Sequence, residues 1–140
     1  MRILVTGASG YIGGAVAHRL LEAGHGVSGL VRNREKADAL ERRGVKPVLG
    51  ELDDAALLKR EAEKADAVVN AASSDHGGAV EAFVNGLAGS GKPFLHTSGS
   101  SIIADDARGE PSDRIVAEDA LPEPPRARES SAAAEPRDRL

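Results

Sequence analysis

Residues 1–16 read "MRILVTGASGYIGGAV", and this stretch decides the fold. Ile3, Leu4 and Val5 make a short apolar run, and Gly7, Gly10 and Gly13 follow at three-residue spacing. A brief unbroken apolar run stopped by glycine predicts a strand buried on both faces. From Tyr11 onward, Ile12, Ala15, Val16, Leu20 and Ala23 recur at helical spacing until Gly24. The chain therefore opens as strand, glycine turn, helix.

The same alternation continues outward. "GVSGLV" (26–31), "KPVLG" (46–50), "ADAVVNAA" (65–72) and "PFLHTS" (93–98) read as four further strands. Between them lie a charged helix over 35–43, a helix capped by Asp53 or Asp54, and a helix whose apolar face is Val80, Phe83, Val84 and Leu87. Strands separated by helices of this length predict right-handed βαβ units and an α/β fold with a parallel sheet; with the glycine turn after the first strand, the expectation is a Rossmann-like, doubly wound sheet of order 3-2-1-4-5. Beyond 104 the text changes. Five of the seven prolines lie there, lysine is absent, and "LPEPPRARESSAAAEPRDRL" has no usable periodicity. The expectation is a nucleotide-binding domain over 1–104 and a loop with a poorly ordered tail over 105–140.

Composition narrows the function classes. The 140 residues suit one domain. With three aromatics and a net charge of −4, neither a base-stacking surface nor a polyanion-binding face is indicated. There is no cysteine, so disulfides, thiolate catalysis and Cys-ligated zinc are excluded. No apolar run approaches the roughly 20 residues of a membrane span. The opening residues enter the first strand directly rather than reading as a signal peptide, so a soluble cytoplasmic protein is expected. No pair among the four histidines has metal-ligand spacing. His96 reads as a packed strand residue, and Asp105-Asp106 as an exposed loop, so no metal is expected.

The glycine turn carries the chemistry. Gly7 permits a tight turn with positive φ, Gly10 lets the backbone approach a pyrophosphate, and Gly13 lets the helix pack close to the strand. The helix N-terminus offers free N–H groups and the positive end of its dipole to phosphate. Tight packing without a ligand is the plain alternative, and the repeated βαβ alternation weighs against it. At the end of the second strand, where an acidic residue would bond the ribose 2′-hydroxyl of NAD, the chain has Arg32, Asn33 and Arg34. A guanidinium suits a 2′-phosphate, so NADP is favoured over NAD, although either arginine could simply begin an exposed helix.

These residues resemble the short-chain dehydrogenase/reductase superfamily in its extended or atypical branches, the epimerase-like and NmrA-like groups. The resemblance rests on "TGASGYIGGAVAHRLLEAGHGVSGLVRN", on "NAAS" at 70–73, on Asn85 and on "FLHTSGSS" at 94–101. It implies a cofactor site at Thr6, Gly7, Ser9, Gly10, Tyr11, Ile12 and Gly13, with Ala71, Ala72 and Ser73 along a ribose. It implies an adenine contact at Glu51, with Asp53 the alternative, and either residue could be only a helix cap. The activity implied is NADP-dependent reduction or epimerisation of a small carbonyl compound or nucleotide sugar. A non-catalytic NADP-binding regulator is the alternative, and the resemblance leaves a homodimer open.

The superfamily's catalytic apparatus is present only in part. Hydroxyl residues at the fifth strand's end supply candidates, Ser100 first and Ser98 next, with Thr97 and Ser101 beside them. No Tyr-x-x-x-Lys can be written: the one tyrosine is Tyr11 and the last lysine is Lys92. The aperiodic end also suggests a C-terminally truncated or frameshifted product.

Overall fold

The computed structural model describes residues 1–99 and Ile115. Met1–Ser98 form one compact unit. The boundary expected at 104/105 lies outside the described residues.

Strands and helices alternate as β1 (Arg2–Thr6), α1 (Tyr11–Glu22), β2 (Gly26–Val31), α2 (Arg34–Glu41), β3 (Lys46–Leu49), α3 (Ala55–Lys64), β4 (Ala67–Asn70), α4 (Gly77–Leu87) and β5 (Phe94–His96). The five strands among the described residues are all parallel, as the alternation predicts, and are ordered β3-β2-β1-β4-β5, as expected of a Rossmann-like sheet. β1 is central, so both its faces are covered and its apolar run is unbroken rather than alternating. Ile3 and Val5 join Val27, Val31 and Val69 beneath α1 and α2, where Ala17, Ala37 and Leu40 close the layer. Leu4 joins Leu30 and Val68 beneath α3 and α4, against Leu58, Ala62 and Phe83.

Some elements are shorter than the sequence suggests. β4 stops at Asn70, whose side chain is drawn into a local polar network, and β5 has only three residues. The fourth helix begins at Gly77, earlier than its apolar face indicates, because His76 caps it. At the other end of the sheet, β4 is tied to β1 on entry. Asp66 N–H donates to the Arg2 carbonyl at 2.7 Å, and Arg2 N–H donates to the Asp66 carboxylate at 2.6 Å. That backbone donor holds the Asp66 carboxyl below its ordinary pKa. No helix among the described residues is long and apolar enough to cross a membrane.

The turn after β1 is set by backbone crowding. Gly7 has φ +71°, and a Cβ there would meet the Ala71 carbonyl oxygen at 2.5 Å. A Cβ at Gly13 would overlap the Gly7 carbonyl group itself. Both neighbours are backbone, so neither can swing aside. Gly13→Ala is therefore expected to destabilise the fold by about 1–3 kcal/mol, the usual cost of overpacking. Urea unfolding followed by circular dichroism checks this, and an unchanged midpoint would mean that α1 can shift freely on the sheet.

Candidate functional site

The helices differ in how their N-termini are closed. Asn33 Oδ1 accepts from Lys36 N–H at 3.0 Å, Asp54 Oδ1 from Leu57 N–H at 3.0 Å, and His76 Nδ1 from Ala79 N–H at 3.1 Å. α1 begins at Gly10, which has no side chain to offer, and its first turn contains no acidic residue. Gly10 N–H turns back to the Gly7 carbonyl at 2.8 Å, and the first helical bond is Gly14 N–H to the Gly10 carbonyl at 2.9 Å. The N–H groups of Tyr11, Ile12 and Gly13 precede that bond and have no intrahelical acceptor. This is an anion-ready end, left uncapped on the strand where the sheet order reverses.

A cleft of about 480 Å³ opens beside it, at the C-terminal ends of the strands. That volume lies in the usual range of about 300–1,000 Å³ for small-molecule sites. Gly7, Ser9 and Gly10 form one wall, Ala71 and Ala72 another, and Glu51, Leu52 and Asp53 a third. Arg32 and Lys36 supply the positive charge. Among the described residues, ion pairs engage Arg34 with Asp38 at 3.8 Å and leave Arg32 and Lys36 without a carboxylate partner. His76 closes one side: its Nδ1 accepts from Ala79, so Nε2 carries the proton toward Asp53 Oδ1, 3.1 Å away. A second cavity, of about 210 Å³, lies at the opposite ends of the strands beside Arg2, Ser28 and Lys64, remote from all these groups.

Several sequence-expected residues fall elsewhere. Thr6 is fully buried, so its side chain cannot reach a ligand; its hydroxyl donates to Asn70 Oδ1 at 2.5 Å. Asn33 caps α2 and does not line the cleft, because its oxygen is held by the Lys36 N–H. Ser73 is likewise off the cleft wall: its carbonyl accepts from Asn70 and its hydroxyl oxygen from Asp75 N–H. Tyr11 and Ile12 are exposed at the uncapped helix end, and Gly13 is buried under it. Ser98 is exposed and outside the cleft wall. Ser100 and Ser101 lie outside the described residues.

The structure also brings in residues that sequence reasoning missed. Lys36 could have been found by reading Asn33 as an N-cap, which puts Lys36 in the first turn of α2, near Arg32. Asn70 organises the ends of three strands. Its Oδ1 accepts from Thr6 and, at 3.4 Å, from Ala72 N–H; its Nδ2 donates to the Ser73 carbonyl at 3.1 Å and lies 3.0 Å from His96 Nδ1. His96 is not the packed residue its place in an apolar strand suggests. Among the described residues β5 is the outermost strand and ends there, and His96 is exposed.

Comparison with known proteins follows the same lines. The model of the NmrA-like family matches residues 1–84. Among curated proteins, an uncharacterized protein of Schizosaccharomyces pombe is 34% identical over 119 residues, covering 77% of this chain and 40% of its own. The oxidase ucsJ of Acremonium sp is 41% identical over 136 residues, covering 87% and 39%. Among solved structures, the binary complex of leucoanthocyanidin reductase with NADPH from Vitis vinifera superposes with a TM-score of 0.54 at 25% identity, over 67% of this chain and 35% of that one. The chain thus spans about two fifths of the length of these two curated relatives.

Asn70 is 1% exposed and serves four partners, so its loss should be costly. Asn70→Ala leaves the buried Thr6 hydroxyl without its acceptor, for which about 1–3 kcal/mol is the usual penalty. Denaturant unfolding is expected to show at least that loss. A midpoint within error of the parent would mean that water replaces the amide at no cost.

Proposed function

The chain belongs to the NmrA-like family, and from that membership and the cleft at the β1–α1 turn we propose that it binds a nicotinamide dinucleotide, NADP(H) in preference to NAD(H). The observation that carries this is the uncapped N-terminus of α1 opening beside a cleft with two cations, Arg32 and Lys36, that have no carboxylate partner among the described residues. The free N–H groups of the first turn suit the pyrophosphate. Arg32 suits the 2′-phosphate, with Lys36 adding charge from the first turn of α2. Glu51 and the small residues Ala71 and Ala72 are left for the adenosine. The NADPH-bound reductase among the structural relatives supports the same cofactor class.

The reaction we propose is hydride transfer between this cofactor and a small carbonyl compound or nucleotide sugar, within a reductase- or epimerase-like protein. A second reading is a cofactor-binding regulator without turnover. It is favoured by one placement: Tyr11, the chain's one tyrosine, stands at the phosphate turn and not in a Tyr-x-x-x-Lys pair. Single-turnover oxidation of bound NADPH separates the two. The protein is proposed to act in the cytoplasm, with a homodimer as an assembly to test.

Arg32→Ala is expected to weaken NADPH binding by roughly 10- to 100-fold, since a hydrogen bond to a charged group contributes about 1.5–3 kcal/mol. NADH binding should change little. Titration calorimetry with both cofactors checks this, and equal losses would remove the phosphate role of Arg32.

Gly10→Ala tests the turn separately. A Cβ there would sit 3.2 Å from the Gly7 carbonyl oxygen, close enough to require a small adjustment but not to unfold the turn. The added methyl should crowd a pyrophosphate and weaken NADPH and NADH alike, by roughly 10-fold or more, about 1.4 kcal/mol or above. Undiminished affinity in the folded variant would make the turn purely structural.

A further inference from the structure

At the C-terminal edge of the sheet, three polar residues stand in one lateral row: Thr6 on β1, Asn70 on β4 and His96 on β5. They lie one layer beyond the apolar row Leu4, Val68 and Phe94. The hydrogen bonds along this row determine the state of the imidazole. Ala72 N–H can only donate, so the atom of Asn70 facing it is Oδ1. The Ser73 carbonyl can only accept, so the atom facing it is Nδ2. The amide orientation is thereby assigned without reference to the histidine. Since Nδ2 is a donor, His96 Nδ1, 3.0 Å away, must be the acceptor. The neutral ring therefore carries its proton on Nε2. Phe94 packs beside it, with ring centroids 6.0 Å apart, and Nε2 has no partner among the described residues.

We propose that His96 is a preorganised neutral hydrogen-bond donor for the nicotinamide half of the dinucleotide, its Nε2–H meeting an oxygen of the ribose or carboxamide. This rests on the dinucleotide assignment above. Arg32 and Glu51 draw the adenosine over β2 and β3, and the pyrophosphate sits at the switch between β1 and β4. The other half must then extend over β4 and β5, whose edge presents His96. Asn70 orients the ring and is a positioning residue.

The test uses the full chain and two probes: NADPH, and adenosine 2′,5′-bisphosphate, which lacks the nicotinamide half. His96→Phe keeps the ring against Phe94 and removes both nitrogens. It should weaken NADPH by roughly 3- to 10-fold, the range of one net hydrogen bond, and leave the bisphosphate unchanged. His96→Gln, which restores an N–H near the place of Nε2, should recover most of the loss. Imidazole nitrogen NMR should show a protonated Nε2 and a bare Nδ1, with Nε2 shifting on NADPH but not on the bisphosphate. Undiminished NADPH affinity in His96→Phe, an equal loss for both probes, no recovery in His96→Gln or the opposite tautomer would each overturn the proposal. Failure of the unaltered chain to bind either probe would instead overturn the dinucleotide assignment, and this proposal with it.

Discussion

The Gly7 carbonyl is tightly held within the structure. It accepts the Gly10 N–H that closes the turn, and α1 approaches so near that a Cβ at Gly13 would overlap it. On its other side, Gly7 lies so close to Ala71 that it has no room for a side chain. Helix α1, the turn and the loop after β4 therefore meet backbone to backbone. No side chain has room between them, and among the described residues none caps the helix. Close packing and anion affinity arise in one turn: Gly7 and Gly13 permit the approach, and Gly10 at the N-cap leaves the first N–H groups without a side-chain acceptor.

Away from that point, the ends of the strands divide by charge and polarity. Toward β2 and β3, the cleft carries Arg32 and Lys36 facing Glu51 and Asp53. Toward β4 and β5, it gives way to a neutral network of Thr6, Asn70 and His96. NADP(H), the cofactor proposed above, is asymmetric in the same sense, with its extra phosphate on the adenosine side and the nicotinamide ring on the other. The polar row costs little in stability because Asn70 uses both its donors and both its acceptor positions, and a fully satisfied buried amide behaves as a rigid strut.

The parallel sheet was legible because it depends on a coarse signal, apolar runs alternating with helical periodicity, and its order followed from reading the glycine turn as Rossmann-like. β1 illustrates this: Ile3, Leu4 and Val5 are all buried, so the run admits one interpretation. The walls of the cleft were legible where the backbone itself forms them, at Gly7, Gly10, Ala71 and Ala72. Side-chain assignments fared worse. Thr6, Asn33 and Ser73 lie next to cleft-lining positions in the chain, yet each is satisfied by a neighbour only a few residues away or one strand over. Polar residues at strand ends and helix starts face two competing demands, capping and ligand binding, and a linear text does not reveal which partner is nearer. Lys36 was hidden for the converse reason: its role depends on where the helix turns it.

The two histidines at this end of the sheet show how that competition is decided. In both, Nδ1 accepts a hydrogen bond from the protein, from Ala79 N–H at His76 and from the Asn70 amide at His96. Both rings therefore turn an Nε2–H outward. At His76 that donor meets Asp53, and the pair links the loop after β3 to the start of α4, so the ring's capacity is filled within the protein. At His96 it meets no described residue, although the ring is held as firmly, by Asn70 on one side and Phe94 on another. Orientation alone does not separate a structural histidine from a ligand-facing one, since both need it. The second nitrogen does. Where a fold fixes one nitrogen of an imidazole and leaves the other without a described partner, the fixed side supplies the entropy of positioning in advance, and a ligand oxygen can be bound without ordering the ring.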